Sequence, residues 1–318
     1  MKTVAITGGA GFVGSNLARE LVNSGHSVRI IDDFSTGLRS NLDGLGCAIY
    51  EFSITDEGRL KPALEGCDYI FHLAARGSVP RSIKNPKATF DVNTRGTFNV
   101  IECAREINAH LAFSSSSSVY GSNQELPKSE LMWTAPLTPY AASKLSGEAM
   151  VQGYAASFGL KAITYRFFNI FGPWQRPDHD YAAVIPKWIW RLMNSEEIQV
   201  FGDGDHIRDF TYVNTVVSIL MDGMERELEH PSPLNLAFGT QVSLNEIISL
   251  LRSEFPALKA THLPDRPGDI RRSQNDPALL KRYFPNVVPT SFEEGLQETI
   301  SWLREEGWRI ANGPKVSD

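Results

Sequence analysis

The chain has 318 residues, enough for one large α/β domain or for a larger domain with a smaller cap. With 31 Lys and Arg against 37 Asp and Glu the formal charge is −6, so there is no basic footprint for nucleic acid. No apolar stretch is long enough to span a bilayer, and Gly8 and Gly9 break the opening apolar run too early for a signal segment.

Val4-Ala5-Ile6 reads as a short strand, and Phe12 to Ser24 carries Phe12, Leu17, Leu21 and Val22 at helical spacing. Gly25 follows as the C′ residue that ends the helix. Val28 to Asp32, Ala48 to Phe52 and Tyr69 to Leu73 read as three further strands. A helix over about Pro86 to Ile107 leads to the strand Leu111 to Ser114. The next helix starts near Pro139, a favoured first-turn residue, and Ala162 to Phe167 is a sixth strand. Strand and helix alternate, which predicts an α/β fold with a doubly wound parallel sheet. After about Asn169, Pro, Gly and Trp punctuate shorter elements. This divides the chain into a dinucleotide-binding part, 1–168 with roughly 202–227, and a smaller mixed part, 169–201 with 228–318. Cys47, Cys67 and Cys103 form no C-x-x-C pair, which favours a reducing compartment and a cytoplasmic protein.

Gly8, Gly11 and Gly14 stand as G-x-x-G-x-x-G between the first strand and its helix. That spacing suits a tight turn, close approach of backbone to a pyrophosphate, and a helix N-terminus aimed at negative charge. Asp32 ends the second strand about 20 residues onward, where a carboxylate accepts from an adenosine 2′-hydroxyl. Asp32 and the adjacent Asp33 repel a 2′-phosphate, so NAD is favoured over NADP. Far downstream, Tyr140 and Lys144 share one helical face four residues apart, and Ser116 lies at the carboxyl end of the fifth strand. A nearby ammonium, together with the positive nicotinamide ring, is expected to lower the phenol's pKa and make Tyr140 a proton acceptor, with Ser116 bridging the reacting hydroxyl. Lys144 can also hold the nicotinamide ribose.

At these residues the chain resembles the extended short-chain dehydrogenase/reductase family, and within it the nucleotide-sugar 4-epimerases. The resemblance runs through Thr7 to Gly14, Asp32 to Gly37, His72-Leu73-Ala74-Ala75, Phe113 to Gly121, Tyr140 to Lys144, Arg166 to Pro173, Arg208-Asp209-Phe210 and Arg266 to Asp269. It implies a cofactor site of Phe12, Val13, Ile54, Leu73, Ala74, Ala75, Asn93 and Phe167 beside the glycines and Asp32-Asp33. Ser53 stands where similar proteins place an adenine-binding aspartate. For the substrate it implies that Asn169, Arg208, Arg266 and Asp269 hold a nucleotide diphosphate while Val184 and Phe201 pack its base, with Ala183 a further substrate-binding residue.

Relatives that dehydrate or decarboxylate follow the catalytic hydroxyl residue with an acid two places on. Here Ser117 and Ser118 follow, which favours C4 epimerisation through a transient 4-keto sugar. Ser78, with its neighbours, and a small Ser273 resemble epimerases of UDP-GlcNAc/UDP-GalNAc, with UDP-Glc/UDP-Gal also open. Arg176 in Gln175-Arg176-Pro177-Asp178 resembles the UDP-glucuronate 4-epimerases instead. A 4,6-dehydratase, a net reductase and an inactive NAD-binding module are the remaining readings. His72 reads as a satisfied core or cofactor-wall residue, and no histidine has metal-ligand spacing. The resemblance implies a homodimer through helices near Asn93 to Glu106 and Lys144 to Phe158.

Overall fold

Apolar runs without alternation suit strands covered by helices on both faces. In the computed structural model, which describes residues 1–178, 182–265 and 271–311, these runs form β1 (Thr3–Thr7), β2 (Ser27–Asp32), β3 (Ala48–Glu51), β4 (Tyr69–His72), β5 (His110–Ser116) and β6 (Ala162–Phe167). All pair in parallel in the order β6-β5-β4-β1-β2-β3. The fold is therefore the doubly wound α/β sheet expected. Strand order reverses between β1 and β4, so the ligand crevice lies beyond their carboxyl ends.

Side chains alternate between two cores. Val4, Ile6 and Ile30 join one cluster, while Ala5 and Ile31 join the other. The helix Phe12–Asn23 follows β1 and ends at Gly25, φ +82°, with the His26 N–H on the Leu21 carbonyl at 3.0 Å. The expected helix from Pro86 is interrupted. Pro86–Phe90 and Thr97–Glu106 are α-helical, but Asp91–Gly96 between them is a wider π turn that carries Asn93.

Beyond β6 the strands are short pairs: Asn169–Phe171 with Phe210–Tyr212, Ile198–Phe201 with Ala260–Leu263, and Ile207–Arg208 with Val242–Ser243. Leu234–Leu236 departs from the boundary read from sequence, because it pairs with β6 as a seventh strand of the main sheet. A three-residue run between Pro233 and Ala237 carries no readable period. Among the described residues no helix is long and apolar enough to cross a membrane, and no group of three His, Cys, Asp or Glu is placed to hold a metal.

The helix Pro139–Phe158 opens on Thr138, whose hydroxyl accepts from the Ala141 N–H at 3.2 Å. It lies against β5 through Gly147, where an added Cβ would overlap the Phe113 ring. Glycine in a helix interior ordinarily costs about 1 kcal/mol relative to alanine. Gly147→Ala is nevertheless expected to lower the thermal unfolding midpoint, because the overlap of about 1–3 kcal/mol outweighs the helical gain.

Candidate active site

The turn after β1 is closed by Gly8, whose φ of +73° an L side chain rarely adopts. A Cβ on Gly8 would stand 2.6 Å from the Ala74 nitrogen, and one on Gly14 would overlap the Gly8 carbonyl oxygen. The helix then starts at Gly11 with no side-chain cap and no acidic residue in its first turn. Its first N–H groups and positive end are thus left for an anion. This bare cradle fits the pyrophosphate of NAD.

Asp32 accepts from the Ala10 N–H at 2.9 Å and the Phe34 N–H at 2.8 Å. Burial pushes its carboxyl up to about 6, and those two hydrogen bonds oppose the rise. Asp32, Asp33, Ser53, Ile54, Leu73, Ala74 and Ala75 line, with Gly8 and Gly11, a cavity of about 170 Å³. The Ser53 hydroxyl accepts from the Thr55 hydroxyl at 3.0 Å, so it is occupied within its own turn. Asn93 lines none of the four cavities described in this subsection. Its Oδ1 instead accepts from the Arg76 N–H at 2.7 Å and its Nδ2 donates to Ser143 at 3.1 Å. It fixes the loop after β4 from behind.

Ser116, Tyr140 and Lys144 meet on a cavity of about 390 Å³, with Phe12, Val13, Gly14 and Phe167 as further walls. No carboxylate lines it among the described residues. Ser116 hydrogen-bonds Tyr140 and also accepts from the Ser118 N–H at 3.2 Å. Lys144 is buried, donates to the Ser114 carbonyl at 2.8 Å, and is pulled down to about 8 by burial, with Glu148 opposing. The expected lowering of the Tyr140 pKa includes the positive nicotinamide ring; the groups of the chain alone act in the other direction. Burial pushes the phenol above its ordinary value and only the Ser116 hydrogen bond opposes it. The Lys144 ammonium is engaged by the Ser114 carbonyl. His72 is a fully buried core residue: its ring nitrogens meet Thr7 at 2.7 Å and Thr97 at 2.9 Å, and burial pulls it down to about 3.

Beneath the cavity lies an ion pair that the motifs did not reveal. Glu148, one turn beyond Lys144, takes Arg166 of β6 in a fork at 2.9 and 2.8 Å. Ser115 of β5 donates to the same carboxylate, and Arg166 donates onward to the Tyr120 hydroxyl at 2.9 Å. Both charges are buried, with side-chain exposures of 5% and 2%.

Asn169, Ala183, Val184, Phe201 and Arg208 line a third cavity of about 500 Å³. A fourth, of about 350 Å³, shares Ala183 and adds Ser78 and Arg176. Arg176 holds Asp178 in a fork at 2.8 and 2.6 Å. Gln175, unassigned in the motif it belongs to, lines both this cavity and the catalytic one. Ser117, Ser118 and Ser273 line none of the four; the Ser273 N–H donates to Ile207, beside Arg208. Arg266 and Asp269 lie outside the described residues.

Residues 4–237 match the model of the NAD dependent epimerase/dehydratase family. The chain belongs to this family. It is 34% identical to a UDP-N-acetylglucosamine 4-epimerase from Methanobrevibacter ruminantium M1, solved in complex with UDP-N-acetylmuramic acid, with a TM-score of 0.90 over 96% of this chain and 99% of that one. It is 32% identical to UDP-glucuronic acid decarboxylase 1 of Xenopus tropicalis, over 99% of this chain and 75% of the relative. A probable UDP-glucuronate 4-epimerase of Rhizobium meliloti is 30% identical, over 96% of this chain and 98% of the relative. Family membership makes NAD the cofactor, in agreement with the glycine cradle and the Asp32 carboxylate.

Two outcomes are expected. Glu148→Gln leaves the buried Arg166 charge uncompensated and should cost about 3–5 kcal/mol in denaturant unfolding. For NAD, Asp32 ionises only above about 6, higher than an exposed aspartate, so the acceptor is lost as pH falls through that value. The NAD dissociation constant, followed by titration calorimetry, should rise by up to about tenfold per pH unit below it, and Asp32→Asn should flatten that dependence.

Proposed function

We propose that this chain is an NAD-dependent UDP-sugar 4-epimerase. The observation that carries the reading is the catalytic cavity itself, where Ser116, Tyr140 and Lys144 meet and no carboxylate stands beside them among the described residues. Elimination or decarboxylation needs an additional proton-handling group near C5 or C6. Ser118 occupies the position where relatives carry that acid, and its side chain lies off the cavity wall.

NAD, held by the glycine cradle and Asp32, would supply reversible hydride chemistry at the sugar's C4. Tyr140 accepts the 4-hydroxyl proton with Ser116 as its hydrogen-bonded partner, and returns a proton when the 4-keto sugar is reduced on the other face. Lys144, anchored on Ser114, carries the positive charge of the site and would hold the nicotinamide ribose. Asn169 and Arg208 hold the diphosphate through both half-reactions, while Val184 and Phe201 pack the uracil. A guanidinium suits that anion because its forked donors match phosphate oxygens. Small walls at Ser78 and Ala183 leave room for the keto sugar to turn.

For the sugar, a UDP-N-acetylhexosamine is favoured by those small walls and by the likeness to the Methanobrevibacter enzyme. UDP-glucuronate is the second reading, since Arg176 lines the adjoining cavity; its fork onto Asp178 weighs against a carboxylate there.

Purified protein offered UDP-GlcNAc, UDP-Glc and UDP-GlcA separately should invert C4 of at least one, read from anomeric proton signals by NMR. A 4-keto-6-deoxy or pentose product would refute epimerisation. Tyr140→Phe should reduce kcat by about 10²–10⁴-fold while the purified protein retains its NAD. Turnover near wild type would remove Tyr140 from its role.

A further inference from the structure

Asp209 follows Arg208 in the chain and is fully buried, yet no cation is recorded against it among the described residues. Its partners are three backbone N–H groups: Gly239 at 3.0 Å and Asn275 at 2.9 Å on Oδ2, and Thr240 at 3.1 Å on Oδ1. Its own carbonyl receives the Asn169 N–H at 3.3 Å and the Asn169 side-chain Nδ2 at 3.2 Å. One residue therefore ties together the loop after the seventh strand, the segment after Ser273, and both the Asn169 and Arg208 strands. Asn169 and Arg208 are walls of the 500 Å³ cavity.

A neutral core would not need this arrangement. Burying an unpaired carboxylate is costly, and burial pushes this one up to about 6. What the charge provides is acceptor capacity. A carboxylate has about four lone-pair sites on two oxygens, where an amide offers one oxygen and turns an NH₂ toward the remaining donor. Three N–H groups from two separate loops are matched by the two acceptor oxygens of a carboxyl group, which the single oxygen of an amide does not supply.

We propose that Asp209 is a positioning residue for the nucleotide diphosphate: its carboxylate gathers the loops that hold Arg208 and Asn169 in place on the cavity wall. This rests on the reading of that cavity as the UDP site. Asp209 does not face the catalytic cavity, so its loss should fall on nucleotide affinity and spare the chemical step.

Titration calorimetry with UDP, and with GDP and dTDP in parallel, tests this on the full chain, alongside NAD content and kcat at saturating sugar. In Asp209→Asn the dissociation constant for the nucleotide that wild type binds should rise about 10- to 100-fold, with NAD content and kcat within about threefold. Asn275→Ala keeps the charge but removes the side-chain amide that ties this segment to the Ala237 carbonyl at 2.7 Å, and it serves if Asp209→Asn does not fold. It should weaken the same binding about three- to tenfold. Affinity unchanged within about twofold in a folded variant overturns the inference alone, as does a parallel fall in NAD content and kcat, which marks a general structural role. Wild-type protein that binds none of the three nucleotides overturns the UDP reading and this inference together.

Discussion

The placement of Ser116, Tyr140 and Lys144 depends on one buried ion pair. Arg166 on β6 and Glu148 on the Tyr140 helix meet in a two-bond fork, and Ser115 on β5 donates to the same carboxylate. Three elements that carry or flank the reacting groups are thus pinned at one point, one residue from Ser116 and one helical turn from Lys144. Desolvating two charges is expensive, and the attraction between them recovers that cost only with near-ideal geometry and every remaining donor satisfied. Here the spare guanidinium donor reaches Tyr120, whose hydroxyl passes on to Asn235 of the seventh strand at 2.7 Å. The network runs from the catalytic helix to the edge of the sheet. Its value lies in fixing relative position more than in net stability.

Above that foundation, electrostatics at the site follow burial. Lys144 is less basic than an exposed lysine because it is enclosed, and Tyr140 is less acidic for the same reason. Left to itself, the pair rests as a protonated phenol beside an ammonium that is close to losing its proton at mildly alkaline pH. The cavity of Ser116, Tyr140 and Lys144 shares Gly8, Gly11, Leu73 and Ala75 with the Asp32 cavity. The two cavities therefore meet at the turn after β1 and the loop after β4.

Features governed by local rules were legible in the chain. The glycine spacing, Gly25 as a helix stop, Pro139 as a start, and the four-residue interval from Tyr140 to Lys144 each depend on neighbours in sequence. What escaped depends on partners far apart. Glu148 and Arg166 are separated by 18 positions, and Asp209 meets Gly239 and Asn275 at 30 and 66. Nothing in a period or a spacing announces those meetings. Leu234–Leu236 escaped for another reason, being too short to show any pattern. The upward push of burial on Tyr140 escaped because a sequence displays charges but not how deeply they are enclosed.

The π turn at Asp91–Gly96 bears on what insertions and deletions the gene can tolerate. A π turn holds one residue more than the α turn it replaces, so an in-frame loss of a single codon there would leave a helix with more regular backbone bonding. Because the surplus residue is absorbed within its own turn, the segments on either side would keep nearly their present facing, and the change would fall on the turn itself. Asn93 would swing away from Arg76 and Ser143, and the loop after β4 would lose its brace. Selection is thus expected to keep a surplus residue that helix energetics alone would discard.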